Sequence, residues 1–65
     1  MKVIYLDYTL EGIMRERMQK SITGFADYGR YTAKLNNDKK TFTVWAHVND
    51  VARKIGSAPL VVKAR

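Results

Sequence analysis

An α+β domain is what this sequence predicts: a small four-stranded, mainly antiparallel sheet with two helices on one face, in the order β-α-β-β-α-β. Three observations carry that expectation. Thr41 to Val48 alternates with a period of two, setting Phe42, Val44, Ala46 and Val48 against Thr41, Thr43, Trp45 and His47. From Leu10 the period lengthens to that of a helix, with Leu10, Ile13, Met14, Met18, Ile22 and Phe25 on one side and Glu11, Arg15, Glu16, Gln19 and Lys20 on the other. Between two extended stretches, Asn36-Asn37-Asp38-Lys39-Lys40 gathers residues that tolerate positive φ and close their own turns, the composition of a hairpin loop.

In chain order, Val3 to Tyr8 is rich in β-branched and aromatic residues and reads as a first strand, apolar on both faces and so central in the sheet. The first helix follows, with Asp7 or Thr9 placed to cap its exposed amides and Gly24 placed to end it. Arg17 and Ser21 fall at the margin of its apolar stripe, where Arg17 can snorkel over the core edge. A second strand is expected over Tyr28 to Leu35, with Tyr28, Arg30, Thr32 and Lys34 on one face and Gly29, Tyr31, Ala33 and Leu35 on the buried one. Thr41 to Val48 is the third strand. Asn49 or Asp50 then caps a short second helix with Val51, Ala52 and Ile55 inward, Arg53 and Lys54 outward and Gly56 as terminator. Pro59 breaks the pattern, and Leu60 to Val62 reads as a last short strand. This order resembles a much reduced ferredoxin-like plait, which implies central first and third strands, helices on one face and an open opposite face.

At 65 residues the chain is expected to form one domain, 1–65, with a thin core. It has no cysteine, hence no disulfide and no thiolate ligand, and no cofactor or metal is expected. Lacking those supports, so small a domain leaves self-association into a homodimer open. No apolar run approaches the ~20 residues that span a bilayer. Val3 to Leu6 is interrupted by Asp7, unlike a signal peptide, so the expectation is a cytoplasmic protein with no membrane partner.

The net charge is +6, and its distribution matters more than its size. Residues 1–27 balance four Lys and Arg against four Asp and Glu, so the whole excess lies in 28–65. Such one-sidedness attracts polyanions, although a charge of this magnitude also serves solubility alone.

Enzyme signatures are lacking. The four glycines form no phosphate-cradling loop, His47 is the only imidazole, Ser21 and Ser57 have no reason to meet it, and the carboxylates Asp7, Glu11 and Glu16 sit on or beside an ordinary amphipathic helix. The chain is expected not to be an enzyme. What does stand out is a combination of cations with aromatic rings. If Phe42, Val44, Ala46 and Val48 face the helices, Trp45 and His47 face outward, beside Tyr28, Arg30 and Lys34. Flat rings flanked by cations suit unpaired bases and their phosphates. The arrangement is similar to the RNA-recognition motif in strand logic alone; that family's glycine-aromatic signature is absent from Thr41 to Val48, and no membership follows.

The expected function is therefore a non-catalytic nucleic-acid-binding module, with Arg30, Lys34, Lys39, Lys40, Arg53, Lys54 and Lys63 on phosphates and Trp45 and His47 stacking. Two other functions fit the same features. One is a small effector or inhibitor that binds an acidic protein through the same exposed sheet face or an open sheet edge. The other rests on Asp50 to Val62, which resembles a helix-turn-helix in the positions of Val51, Ala52, Ile55, Gly56 and Val62 but departs from it at Ser57, and implies a DNA-binding regulator.

Overall fold

A computed structural model of the chain describes residues 6–62. Among the described residues it is an α+β fold with one helix, α1 (Tyr8–Lys20), and one four-stranded antiparallel sheet of β1 (Phe25–Tyr28), β2 (Tyr31–Leu35), β3 (Thr41–Val48) and β4 (Val51–Pro59) in the order β1-β2-β3-β4. Each strand pairs with its sequence neighbours, so the sheet is a meander built from local hairpins.

The helix starts where the sequence supplies a cap. The Asp7 carboxylate accepts from the Leu10 backbone N–H at 2.7 Å, satisfying one of the amides that lacks an intrahelical partner. The helix is held against the far end of the sheet by its own polar side chains. Arg15 Nε donates to the Pro59 carbonyl at 2.9 Å and Gln19 Nε2 to the Leu60 carbonyl at 2.8 Å. After Lys20, Ser21 organises the exit: its Oγ accepts from the backbone N–H groups of Gly24 and Phe25, both at 3.2 Å, and donates to the Phe25 carbonyl at 2.6 Å.

The core is one layer of side chains between α1 and the near face of the sheet. Leu10, Met14 and Met18 from the helix meet Ala33, Phe42, Val44 and Ala58. The alanines let the helix lie close, and the larger Phe42, Met14 and Val44 fill the space between, all fully buried. Leu6, Leu35, Ile55 and Leu60 close the margins.

Several sequence expectations are corrected. The second helix does not form: residues 51–59 are β4, paired with β3 along its length, and the described residues have neither the two helices nor the plait connectivity of a ferredoxin-like domain. Asn49 and Asp50, with φ of 52° and 64°, are the two central residues of a tight hairpin rather than a helix cap. This is the positive-φ pair that a type I′ turn requires, and Asn and Asp suit both roles equally. The helix-turn-helix reading of Asp50 to Val62 falls with that helix. The expected second strand divides into β1 and β2 at Gly29-Arg30, where Gly29 has φ of 61° and supplies the glycine-first pattern of a type II′ turn. Tyr8 belongs to α1, and Leu60 to Val62 form a bend and coil rather than a strand. Ile22, expected on the apolar stripe of the helix, lies past its end and is 99% exposed. The remainder of the expected first strand, Val3 to Tyr5, lies outside the described residues. The Asn36 to Lys40 hairpin and the central place of Thr41 to Val48 are as expected.

Candidate nucleic-acid interface

Cross-strand partners share a face, so the register defines what the sheet turns away from α1. One row runs Phe25, Lys34, Thr43, Ser57 across the four strands, and the next runs Asp27, Thr32, Trp45, Lys54. His47 and Ala52 begin a third. Among the described residues, no helix lies over these rows.

Trp45 sits mid-sheet on this face, partly buried between Thr32 and Lys54. His47 is exposed, and its Nε2 lies 3.0 Å from Thr32 Oγ1, a bond that steadies the ring across the β2–β3 ladder. At the β1 side the Lys34 ammonium stands 5.8 Å from the centroid of the Phe25 ring, within cation–π range. Phe25 is 58% exposed. Near the β2–β3 loop the face is stiffened by neutral hydrogen bonds: Thr43 Oγ1 donates to Asn36 Oδ1 at 2.6 Å, and Asn36 Nδ2 donates to Thr41 Oγ1 at 2.8 Å. That loop is itself closed by Asp38, whose carboxylate accepts from the backbone N–H groups of Lys40 at 2.8 Å and Thr41 at 3.0 Å. These two bonds, the Lys40 one foremost, hold its pKa below the ordinary value of 3.8.

Of the residues expected to form the interface, Lys34, Trp45, His47 and Lys54 come together on this one face. Lys39 and Lys40 are exposed in the β2–β3 loop at one end of it. Arg30 occupies the β1–β2 turn at the other end, where its carbonyl accepts from the His47 N–H at 2.8 Å. Arg53 is exposed but pairs with Ala46, which places it on the helix-side face. Lys63 lies outside the described residues. Tyr28, expected beside Trp45, pairs with Tyr31 on the helix side, where the Arg17 guanidinium lies 4.9 Å from its ring centroid.

Phe25 is hidden in the sequence because its spacing places it at the end of the helical stripe. The signal that finds it is Gly29-Arg30: a turn there makes Phe25 to Tyr28 a strand and fixes Phe25 opposite Lys34. Among the described residues, no three His, Cys, Asp or Glu side chains gather into a group that could hold a metal ion, and no helix is long and apolar enough to cross a membrane. Comparison of the chain with protein-family models, curated proteins and solved structures gives no match.

Proposed function

We propose that this domain is a non-catalytic nucleic-acid-binding module whose ligand lies on the sheet face opposite α1. The observation that carries the reading is the coincidence of Trp45, His47 and Phe25 with Lys34 and Lys54 on one helix-free face, against the single carboxylate of Asp27. Rings on such a platform stack on any unpaired base, and ammonium groups beside them pair with the adjoining phosphates. Arg30 at one end and Lys39 and Lys40 at the other extend the cationic character along the strands. The platform is stiff where it must present rings, because Thr32 and Asn36 tie its polar side chains together.

An acidic protein would answer the same charges and would bury the same rings. The test distinguishes the two. Trp45 is the only tryptophan, so its fluorescence reports binding directly. Titration with single-stranded and duplex oligonucleotides at two salt concentrations should show quenching by the single strand, weakening steeply with salt. Trp45→Ala should lower affinity by roughly 5- to 150-fold, the equivalent of ~1–3 kcal/mol for one stacked base, with binding followed by anisotropy of a labelled oligonucleotide. Because Trp45 is partly buried, the exposed pair Lys34→Gln and Lys54→Gln provides a second variant that leaves the core intact; it should flatten the log–log salt dependence by about 1.4, or ~0.7 per phosphate contact. Absence of binding at low salt, or binding unchanged by both variants, overturns the reading.

A further inference from the structure

A strand lying on the Trp45 row must leave the sheet somewhere, and its two edges are not alike. On the β1 side two open grooves meet at the strand itself. One, about 250 Å3, lies on the helix-free face against Phe25, Ala26, Asp27 and Thr32. The other, about 270 Å3, lies on the helix side and is lined by Arg17, Lys20, Ser21, Phe25, Ala26 and Asp27. Phe25, Ala26 and Asp27 border both, so the two grooves adjoin at the edge of the sheet. Phe25 is the exposed ring there, with Lys34 on one side of the edge and Arg17 and Lys20 beyond it.

At Phe25 the edge is closed to another β-strand. The outward N–H and carbonyl of Phe25 are both engaged by Ser21 Oγ, which blunts the edge against strand addition. What remains is a ring and three cations facing Asp27 and Glu16. The Lys20–Glu16 contact, at 3.7 Å between exposed side chains, is too weak to hold the lysine back from a phosphate.

We infer that the ligand of the sheet face is a single-stranded nucleic acid that crosses the β1 edge, stacking a base on Phe25 and placing the following phosphates against Arg17 and Lys20 on the helix side. This rests on the sheet-face reading above and adds to it the ligand class and the path. A duplex cannot follow that path. Its persistence length is ~50 nm, whereas the domain is only 19 Å through its shortest dimension. A flexible single strand turns the edge without such a cost, and its bases are unpaired for stacking.

The experiment uses the full chain and two thymidylates, a dinucleotide and an oligonucleotide of about twelve nucleotides, the longer within the span of small single-strand sites. β1 lies two strands, roughly 10 Å, from β3, so a dinucleotide stacked on Trp45 has no phosphate to place beyond the edge, while the longer one also crosses it. For the double variant Arg17→Gln and Lys20→Gln, binding of the short oligonucleotide should be unchanged, while the salt dependence for the longer one should flatten by about 1.4. Phe25→Ser should weaken only the longer. Arg53→Gln, near the opposite edge, should change neither. Thermal unfolding of each variant checks that Arg17, which stacks on Tyr28, is not acting through the fold. If the unaltered chain binds neither oligonucleotide, the sheet-face reading fails and this path with it. If it binds both but the Arg17 and Lys20 variant keeps the full salt dependence, or if Arg53→Gln loses it instead, the β1 crossing is overturned while the sheet-face reading stands.

Discussion

Replacing Gly56 by alanine tests whether the β3–β4 pairing and the placing of Leu6 are one structural event. The register shifts at Val44 and Trp45, so that Trp45 faces Lys54, Val44 faces Gly56, and Ile55 is the extra residue of a bulge. Gly56 has φ of 157°, a conformation that L side chains rarely adopt, and a Cβ there would stand 3.0 Å from Leu6 Cβ and 3.2 Å from Leu6 Cδ2. Backbone strain of this kind costs about 1–3 kcal/mol, and forcing a methyl into an occupied site adds about 1–3 kcal/mol. Against a total stability of roughly 3–10 kcal/mol for a chain of this length, Gly56→Ala should remove a large part of it, with a loss of about 2–5 kcal/mol measured by urea denaturation. Leu6→Ala, which vacates the space, should cost about 1–2 kcal/mol alone. The double variant should be less damaged than the two losses added together, by about 1 kcal/mol. A loss under about 0.5 kcal/mol for Gly56→Ala, or strict additivity, would refute the idea that Leu6 occupies the space a side chain at 56 would need.

Two further outcomes follow from the polar clamps at either end of the sheet. Ser21→Ala removes the hydroxyl that serves Gly24 and Phe25, and should cost about 1–2 kcal/mol. It should also speed amide exchange at those two residues and, by freeing the β1 edge, favour self-association detectable by sedimentation; unchanged exchange would exclude the clamp. Asp38 carries a pH dependence whose sign follows from its lowered pKa. The folded state favours the carboxylate, so its contribution is fully present above the ordinary value near 3.8 and is lost as pH falls from there through the folded pKa. Protection of the Lys40 and Thr41 amides, taken relative to the intrinsic exchange rate at each pH, should therefore fall across that acidic window in the unaltered chain and not in Asp38→Asn; identical profiles would rule it out.

The parts of the fold that the sequence discloses are those where one physical signal acts alone. Leu10, Met14 and Met18 have helical spacing and no competing pattern, and Phe42, Val44 and Ala46 alternate without interruption. The hidden parts are those where two signals coincide. Asn49-Asp50 suits a helix cap and a type I′ turn alike, because the same short polar side chains cap amides and tolerate positive φ. The period of β4 is broken by its own bulge: Val51 and Arg53 lie on the helix side, but beyond Ile55 that side passes to Gly56 and Ala58, so no strict alternation survives to be recognised. Gly29-Arg30 was concealed inside an apparently continuous strand, and with it went Phe25. Lys34, Trp45 and His47 are legible as a group because the face of β3 can be deduced from its buried side. Arg53 and Lys54 are not, since the sequence puts both on the outer side of a helix that does not form, and their faces follow instead from the register of the Asn49-Asp50 turn.

The same bulge connects the fold to the surface it presents. Without the extra residue at Ile55, strict alternation from Gly56 and Ala58 on the helix side would put Lys54 there as well, facing the core margin. The bulge returns Lys54 to the opposite face, directly across from Trp45. On that face Thr43 is only 5% exposed and Trp45 is partly buried, although no helix among the described residues covers them. Their register neighbours on that face include Lys34 beside Thr43 and Lys54 beside Trp45, and long lysine side chains can shield apolar surface while keeping their charge in water. On the proposed function, a base stacked on Trp45 lies beside Lys54, its cross-strand partner, so that one register position supplies both a ring and a cation.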